Sequence, residues 1–169
     1  LVSPLPRWYL LICKLLAGVA VSILQVYTFL IIALFWEIDT PPVGYISILP
    51  ALVLSGLMLG ALGMFLSSAI KQLENFAGVM NFVIFPMFFA SSALYPLWRI
   101  KESSLILHNI CAFNPFTHAV ELIRFALYGQ INTFSFMYVL AFLTLFLGIA
   151  IYGCDPSRGF TARKGGPAG

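Results

Sequence analysis

Hydrogen-bonding and ionisable side chains concentrate at helical spacing in residues 114–128 of an otherwise apolar chain. Thr117, Glu121, Arg124 and Tyr128 fall on one side of the predicted helix, and an apolar side lies next to it. Glu121 and Arg124 are three residues apart and can form an ion pair, which offsets the cost of holding charges in or near lipid. We expect function to centre on this helix. The alternative is an interfacial helix held at the membrane surface by its amphipathicity alone.

The ends of this helix can be read from the residue types. Asn114 can accept hydrogen bonds from free amides at a helix start, and Pro115 suits the first helical position because its missing N–H would be unpaired there. Gly129 is typical of the residue that follows a helix. These signals predict a helix that begins at Pro115 and ends just before Gly129.

Acid–base catalysis is a second chemistry that these residue types allow. His108, His118 and Glu121 could serve a membrane acyl-transfer enzyme on the external face. No HExxH motif, nucleophile with an oriented base or pair of carboxylates accompanies them, so histidines with a structural role at the interface are favoured. The three cysteines have neither CxxC nor Cys/His ligand spacing, and they predict no disulfide framework and no metal site.

The composition is that of an integral membrane protein. Hydrophobic residues make up 61% of the chain, charged residues 9%, and the mean hydropathy is +0.99. The apolar runs approach about twenty residues, the length at which a helix crosses roughly 30 Å of hydrocarbon, whereas barrel strands would alternate. We therefore predict an all-α polytopic membrane protein with four spanning helices, at residues 15–36, 44–66, 76–94 and 133–152.

The remaining segments complete a single transmembrane domain. Residues 95–130 are expected to form an external amphipathic or re-entrant helical segment between the third and fourth spans, and residues 1–14 and 153–169 a lead-in and a tail. Basic residues are more numerous on the side of the two ends: Arg7, Lys14, Lys71, Arg158, Arg163 and Lys164, against Arg99, Lys101 and Arg124 on the other side. The positive-inside rule therefore predicts that both ends are cytoplasmic, in a plasma membrane that we expect to be a bacterial inner membrane.

Two sets of residues within the spans are candidates for packing or function. On the second span, the small residues Gly56, Gly60 and Gly63 share a side at which another helix can approach closely. On the third span, an aromatic stripe with polar points could line a cavity for an amphipathic substrate; it consists of Asn81, Phe85, Phe88 and Ser92. The alternative for this stripe is contact with lipid or with the core.

The source of energy is not visible in the chain itself. The spans carry no charged residue or histidine away from their ends, whereas ion-coupled carriers usually place such groups near the midplane. The chain also lacks the G-x-x-x-x-G-K-[ST] phosphate-binding loop. If the protein moves a substrate, we expect a partner to drive it, and the modest net charge of +3 predicts no nucleic-acid partner.

Residues 1–18, 62–75, 86–96 and 114–118, with Arg124, follow patterns of one transporter family: they resemble the permeases of ATP-binding-cassette type-2 exporters. Residues 1–18 look like the family's passage from the cytoplasmic coupling region into its third span, and residues 62–75 are similar to the exit of its fourth span. Residues 86–96 and 114–118 resemble the closing pattern, in which a proline, a polar residue three positions on and an arginine six further recur. Here these residues are Pro115, His118 and Arg124.

The resemblance implies a permease of six spans, of which the first two would precede this chain, paired with a second permease, identical or different. It also implies two ATPase subunits that bind the ATP and Mg²⁺, with no cofactor on this chain, and export of a drug, a lipid-linked glycan or a polysaccharide. The candidates for the pathway or gate then include Asn114, Pro115, Thr117, His118, Glu121 and Arg124. The candidates for coupling to the ATPase are Ser3, Pro4, Arg7 and Trp8, with headgroup anchoring as the alternative. A membrane anchor or assembly subunit that does not transport is the other reading of the apolar spans.

Overall fold

The computed structural model describes residues 6–36, 38–70 and 73–153, apart from the side chains of Arg7, Leu73 and Glu74. All regular secondary structure in these ranges is helical, which confirms the predicted all-α class. The helices are α1 (Arg7–Phe35), α2 (Gly44–Ala69), α3 (Leu73–Phe89), α4 (Leu97–Ser103), α5 (Leu105–Phe113), α6 (Pro115–Leu127) and α7 (Thr133–Gly153).

Three of the described helices, α1, α2 and α7, are long and apolar enough to cross a membrane. They correspond to the first, second and fourth predicted spans. The α1 helix begins at Arg7, so it already includes half of the predicted lead-in, because Pro6 precedes it and no helix-breaking residue follows before Leu15. The predicted tail lies outside the described residues, apart from Gly153 at the end of α7.

The third predicted span was placed too far along the chain. Its helix, α3, ends at Phe89 rather than at residue 94, and its 17 residues measure about 25 Å, less than the roughly 30 Å of hydrocarbon. Ser91 contributes to the early end, because its hydroxyl donates to the Phe88 carbonyl at 2.5 Å and accepts from the Ala93 amide at 3.2 Å. Such local bonds compete with helix continuation. That α3 crosses the membrane stays a prediction.

The α2 helix is the centre of the fold. It packs against α1, α6 and α7, whereas its contact with α3 is much smaller. One hydrophobic cluster joins α2 to α6 and α7 and comprises Ala51, Met58, Ala119, Leu122, Ala126 and Val139. A second joins α1 to α2 through Leu30, Ile48 and Leu52. Close van der Waals packing against α2 therefore holds α1, α6 and α7 together.

Glycines set the closest approaches of these helices. A Cβ atom at Gly56 would lie 3.2 Å from Val19 Cγ2, and one at Gly60 would lie 2.7 Å from Leu15 Cδ2, both on α1. Gly63 faces α3 instead. The stripe predicted for helix packing is thus divided between two neighbouring helices.

The short helices α4, α5 and α6 connect α3 to α7. Ser104 begins α5 by accepting the Leu107 amide at 3.5 Å, and Asn114 begins α6 by accepting the Phe116 amide at 3.0 Å. The α6 helix ends at Leu127, and Gly129 follows with a positive φ of 71°, a conformation that glycine adopts readily. Both predicted ends of α6 are confirmed.

Candidate functional site

Three hydrogen-bonding side chains of α6 are buried, whereas Tyr128 at its end is 64% exposed. Thr117 is 0% exposed, His118 4% and Glu121 8%, because α6 packs between α2 and α7 and beside the turn that follows α3. A helix that floats at the membrane surface would turn these side chains to water. Thr117, His118 and Glu121 thus face protein, so amphipathicity alone does not hold α6. That α6 lies at the membrane surface stays a prediction.

The predicted ion pair is present and includes one of these side chains. Arg124 Nη1 donates to Glu121 Oε1 at 2.8 Å, and Arg124 Nη2 donates to the Ser92 carbonyl at 2.9 Å. The Glu121 side chain is almost fully buried, whereas that of Arg124 is about one-third exposed. The guanidinium thus neutralises a buried carboxylate and fastens α6 to the turn after α3.

Three further hydrogen bonds join α6 and the residue before it to the end of α3 and the turn that follows. The Asn114 Nδ2 group donates to the carbonyls of Met87 and Ala90, at 2.7 and 2.8 Å. The Ser92 amide donates to Thr117 Oγ1 at 3.3 Å. Asn114 thus satisfies carbonyls that the C-terminal end of a helix leaves without partners, and Thr117 accepts the amide of the turn that follows.

His118 connects α5, α6 and α7. Its Nε2 lies 2.7 Å from the Ala112 carbonyl oxygen, which only accepts, so Nε2 carries the hydrogen. In the neutral ring Nδ1 then accepts from the Ser135 hydroxyl, 3.4 Å away. Burial lowers the pKa of His118 below its ordinary value of 6.5, while the bond to Ala112 and the nearby Glu121 carboxylate act in the opposite direction. The neutral imidazole is the form that this site favours.

Several of these side chains line one cavity of about 560 Å³ between α4, α5, α6 and the start of α7. Three predicted site residues, His118, Glu121 and Arg124, contribute to its wall. The rest of the wall consists of Pro96, Leu97, Trp98, His108, Ala112, Phe125, Asn132, Phe134 and Ser135. A wall with aromatic rings beside an ion pair and imidazoles can contact both parts of an amphipathic molecule.

The predicted stripe on α3 does not line a cavity as a unit. Asn81 and Phe85 are exposed, whereas the Phe88 ring packs edge-on against Phe116 with centroids 6.0 Å apart. Ser92 lies beyond the end of α3 and is fully buried. The four residues therefore do not share one helix face, because α3 stops at Phe89 and Ser92 lies beyond it. That they line a substrate pathway stays a prediction.

The predicted coupling residues lie at or before the start of α1. Ser3 and Pro4 are outside the described residues, and for Arg7 only the backbone is described. Trp8 is about half exposed, and its ring meets that of Tyr9 edge-on. Exposure of both rings suits either headgroup anchoring or contact with a partner.

Three α7 side chains that contact His118 were not predicted: Ser135, Tyr138 and Phe134, the last of which lies edge-on with centroids 5.4 Å apart. Ser135 is buried beside its Nδ1, and the Tyr138 ring lies over the imidazole with centroids 3.9 Å apart. One local signal was available: Asn132 Oδ1 accepts the Ser135 amide at 3.2 Å, a helix start that places Ser135 in the first turn of α7.

Metal binding and cysteine chemistry have little structural basis in the described ranges. No group of three or more His, Cys, Asp and Glu side chains there is arranged to hold a metal ion. Cys111 is buried, which raises the pKa of its thiol, and Cys13 is exposed. A thiol with a raised pKa is a poor nucleophile, so Cys111 serves as a small apolar residue of α5.

Comparison with known proteins identifies the family. The family model described as ABC-2 type transporter matches residues 1–128, which includes α1 to α6. The chain is also 32% identical to Nodulation protein J of Rhizobium leguminosarum bv. viciae over 82 residues, which is 48% of this chain and 30% of the relative. The aligned part thus spans less than a third of that protein's length, and no solved structure matches. The family match confirms the resemblance seen in the sequence, and this multi-pass membrane chain belongs to the ABC-2 type transporters.

Proposed function

We propose that the chain forms part of the translocation pathway of an ATP-driven exporter for an amphipathic substrate, such as a drug, a lipid-linked glycan or a polysaccharide. The observation that carries the proposal is the cavity of about 560 Å³, lined by Trp98 and Phe134 as well as by the Glu121–Arg124 pair, in a chain of this family. Rings accept the apolar part of a substrate, and the polar groups select its orientation.

The energy for export is proposed to come from a separate ATP-binding subunit that carries the ATP and Mg²⁺. Support comes from the three candidate spans. No charged side chain or histidine lies in α1 between Leu15 and Phe35, in α2 or in α7. Ion-coupled carriers need such groups within the membrane. A second permease copy, identical or different, completes the proposed assembly. We propose α3 as the third of four spans in this part of the chain.

Reconstitution tests the function directly. The full-length permease and the ATPase encoded nearest to it are placed in vesicles with two probes, a fluorescent amphipathic dye and a lipid-linked oligosaccharide. We expect movement of a probe that requires ATP and both proteins. The proposal is overturned if the proteins form no complex, or if neither probe moves with ATP. Turnover of the lipid-linked probe without nucleotide would instead support the enzyme alternative.

The orientation and location are proposed from the charge distribution: both ends cytoplasmic, in a bacterial inner membrane. Six basic residues lie on the side of the two chain ends and three lie on the other side. Lysines and arginines favour the cytoplasmic side of a membrane. A cytoplasmic reporter fused after Arg163 should be active, and one inserted after Lys101 should be inactive. The opposite pattern would reverse the topology.

Contact with the ATPase is proposed for the start of α1, around Ser3, Pro4, Arg7 and Trp8. The segment is short, basic and aromatic, and it precedes a candidate span. A cysteine at Arg7 should crosslink to the ATPase, whereas labelling only by lipid-phase probes would indicate headgroup anchoring.

A further inference from the structure

The Asn114 side chain forms hydrogen bonds at the ends of two helices. Its Oδ1 accepts the Phe116 amide and so begins α6, while its Nδ2 donates to the Met87 and Ala90 carbonyls at the end of α3. An amide has both an acceptor and donors, so Asn114 can fill both roles at once. A carboxylate could begin α6 but could not donate to α3.

Two more contacts extend this attachment along α6. Ser92, in the turn after α3, donates its amide to Thr117 and accepts at its carbonyl from Arg124. The α6 helix is itself fixed to α2, because the Ser47 hydroxyl donates to the Ala126 carbonyl at 2.5 Å and Ala126 is buried against α2. The C-terminal end of α3 is thus tied by hydrogen bonds to the body formed by α2, α6 and α7.

The rest of α3 meets α2 differently. An apolar cavity of about 130 Å³ lies between the two helices and is lined mainly by leucine, isoleucine and methionine side chains, with Gly63 on α2 and Met80, Ile84 and Met87 on α3. A Cβ atom at Gly63 would still be 4.0 Å from Met80 Cε. Methionine side chains adapt to shifted neighbours, and apolar contacts have no directional requirement, so this contact permits sliding.

We infer that α3 is a lever whose C-terminal end is a fixed pivot held by Asn114, and whose N-terminal half swings relative to α2 during the transport cycle. The inference rests on the proposed ATP-driven export. For a helix of about 25 Å, a tilt of about 10° around one end moves the other end by about 4 Å. Asn114 is then a positioning residue for a helix of the permease rather than a group that touches substrate.

Distances between spin labels test the lever in the complete transporter with its ATPase. Cys13, Cys111 and Cys154 are replaced by alanine, and one permease copy carries a label at Met137 of α7 together with one on α3. The label on α3 is at Ala77 near its start or at Phe89 at its end, and all three labelled positions are exposed in this chain. Because Ala77 lies about 18 Å from the pivot end of α3, we expect the Ala77–Met137 distance to change by about 3 Å between the nucleotide-free and ATP-trapped states, while the Phe89–Met137 distance stays constant.

Equal changes at both ends, a larger change at Phe89, or no change in a transporter that exports its probe would each overturn the lever. Failure of the proposed function shows differently, because the assembly would then neither hydrolyse ATP nor move a probe. The pivot can still be tested in that case, since it concerns the resting structure.

The pivot is tested by Asn114→Asp at pH 8, where the carboxylate is ionised. The variant keeps an acceptor for the Phe116 amide but loses both donations to α3, so the Phe89–Met137 distance distribution should broaden without nucleotide. Asn109→Asp makes the same chemical change at an exposed position of α5 and should leave the distribution narrow. An equally narrow distribution in both variants would overturn the pivot. If Asn114→Asp does not fold, the Ala77–Met137 and Phe89–Met137 distances in the transporter without this substitution test the lever.

Discussion

The two sides of α2 are fastened in different ways. Toward α1, the contact consists mainly of apolar side chains over Gly56 and Gly60, with the Tyr27 hydroxyl donating to the Tyr45 carbonyl near the start of α2. Toward α6, the backbone takes part directly, because Ser47 donates to the Ala126 carbonyl and Gly44 lies against that of Leu127.

This difference follows the character of the two helices. The α1 helix is long and apolar enough to span a membrane, so contact with lipid and with α2 suffices to hold it. The α6 helix has 13 residues and buries Thr117, His118 and Glu121, which need partners. Directional bonds therefore position the polar helix, and close apolar contact positions the spanning one.

Removal of one charge from the Glu121–Arg124 pair should have the largest effect. Arg124→Gln leaves a buried carboxylate without its cation and the Ser92 carbonyl without a donor, at a cost of about 1.5–3 kcal/mol in unfolding free energy. Glu121→Gln leaves the guanidinium unpaired. Both variants should insert into the membrane yet export poorly.

A double-mutant cycle is the control for that pair. Replacement of both residues with apolar residues of similar size should be milder than either single change, with a coupling of about 0.5–3 kcal/mol between the positions. If the single variants export normally, or if their effects simply add, the ion pair does not dock α6.

Gly44→Ala should be the next most damaging change. A Cβ atom there would lie 2.0 Å from the Leu127 carbonyl oxygen, so α2 and α6 must separate. We expect a loss of about 1–3 kcal/mol in thermal or denaturant unfolding. Gly18→Ala is the matched control, since no atom lies within 4 Å of its Cβ position and alanine favours a helix. Equal stability of the two variants would show that the backbone contact is not needed.

Gly60→Ala tests the α1 side and should cost less, about 1 kcal/mol or below. The atom in its way is Cδ2 of Leu15, 2.7 Å from the Cβ position, and a side-chain end can rotate where a carbonyl cannot. Gly56→Ala offers a comparison on the same helix, because the nearest atom is Cγ2 of the stiffer Val19 at 3.2 Å. A larger loss for Gly60→Ala than for Gly44→Ala would reverse the contrast between the two sides.

The smallest effect is expected from protonation of His118. Burial lowers the pKa of this residue in the folded chain, so the unfolded chain takes up a proton more readily. Stability should be complete above pH 6.5 and should fall as the pH drops below that value. In His118→Gln this part of the pH dependence should disappear from melting curves. An unchanged dependence of melting on pH would mean that the buried imidazole does not contribute to the pH dependence of stability.

Local features of α6 were predictable because their causes lie within a few residues. Asn114, Pro115 and Gly129 mark its ends, and the spacing of Glu121 and Arg124 allows the ion pair. The burial of its polar side chains was not predictable, since the partners Ser92 and Ser135 lie 32 and 17 residues from the side chains they meet. Periodicity shows that one side of a helix is polar, but it does not show what that side faces.

The end of α3 also depends on residues that are distant in the sequence. Hydropathy extended the span to residue 94 because Ala90, Ala93 and Leu94 continue the apolar run. The helix stops at Phe89, and the freed carbonyls are satisfied by Asn114 and Arg124, which lie more than twenty residues later in the chain. A hydropathy window cannot detect a termination that depends on such distant donors.

The buried polar side chains of α6 also impose an order on the biogenesis of the protein. The Ser92 turn and the α2 surface precede α6 in the chain, so the ribosome has already supplied the partners of Arg124 and Ala126 when α6 is made. Ser135 and Tyr138 come later, and His118 remains without them until α7 has been synthesised. A nascent chain that stops before Thr133 therefore contains α6 but lacks the Ser135 and Tyr138 contacts of its buried imidazole.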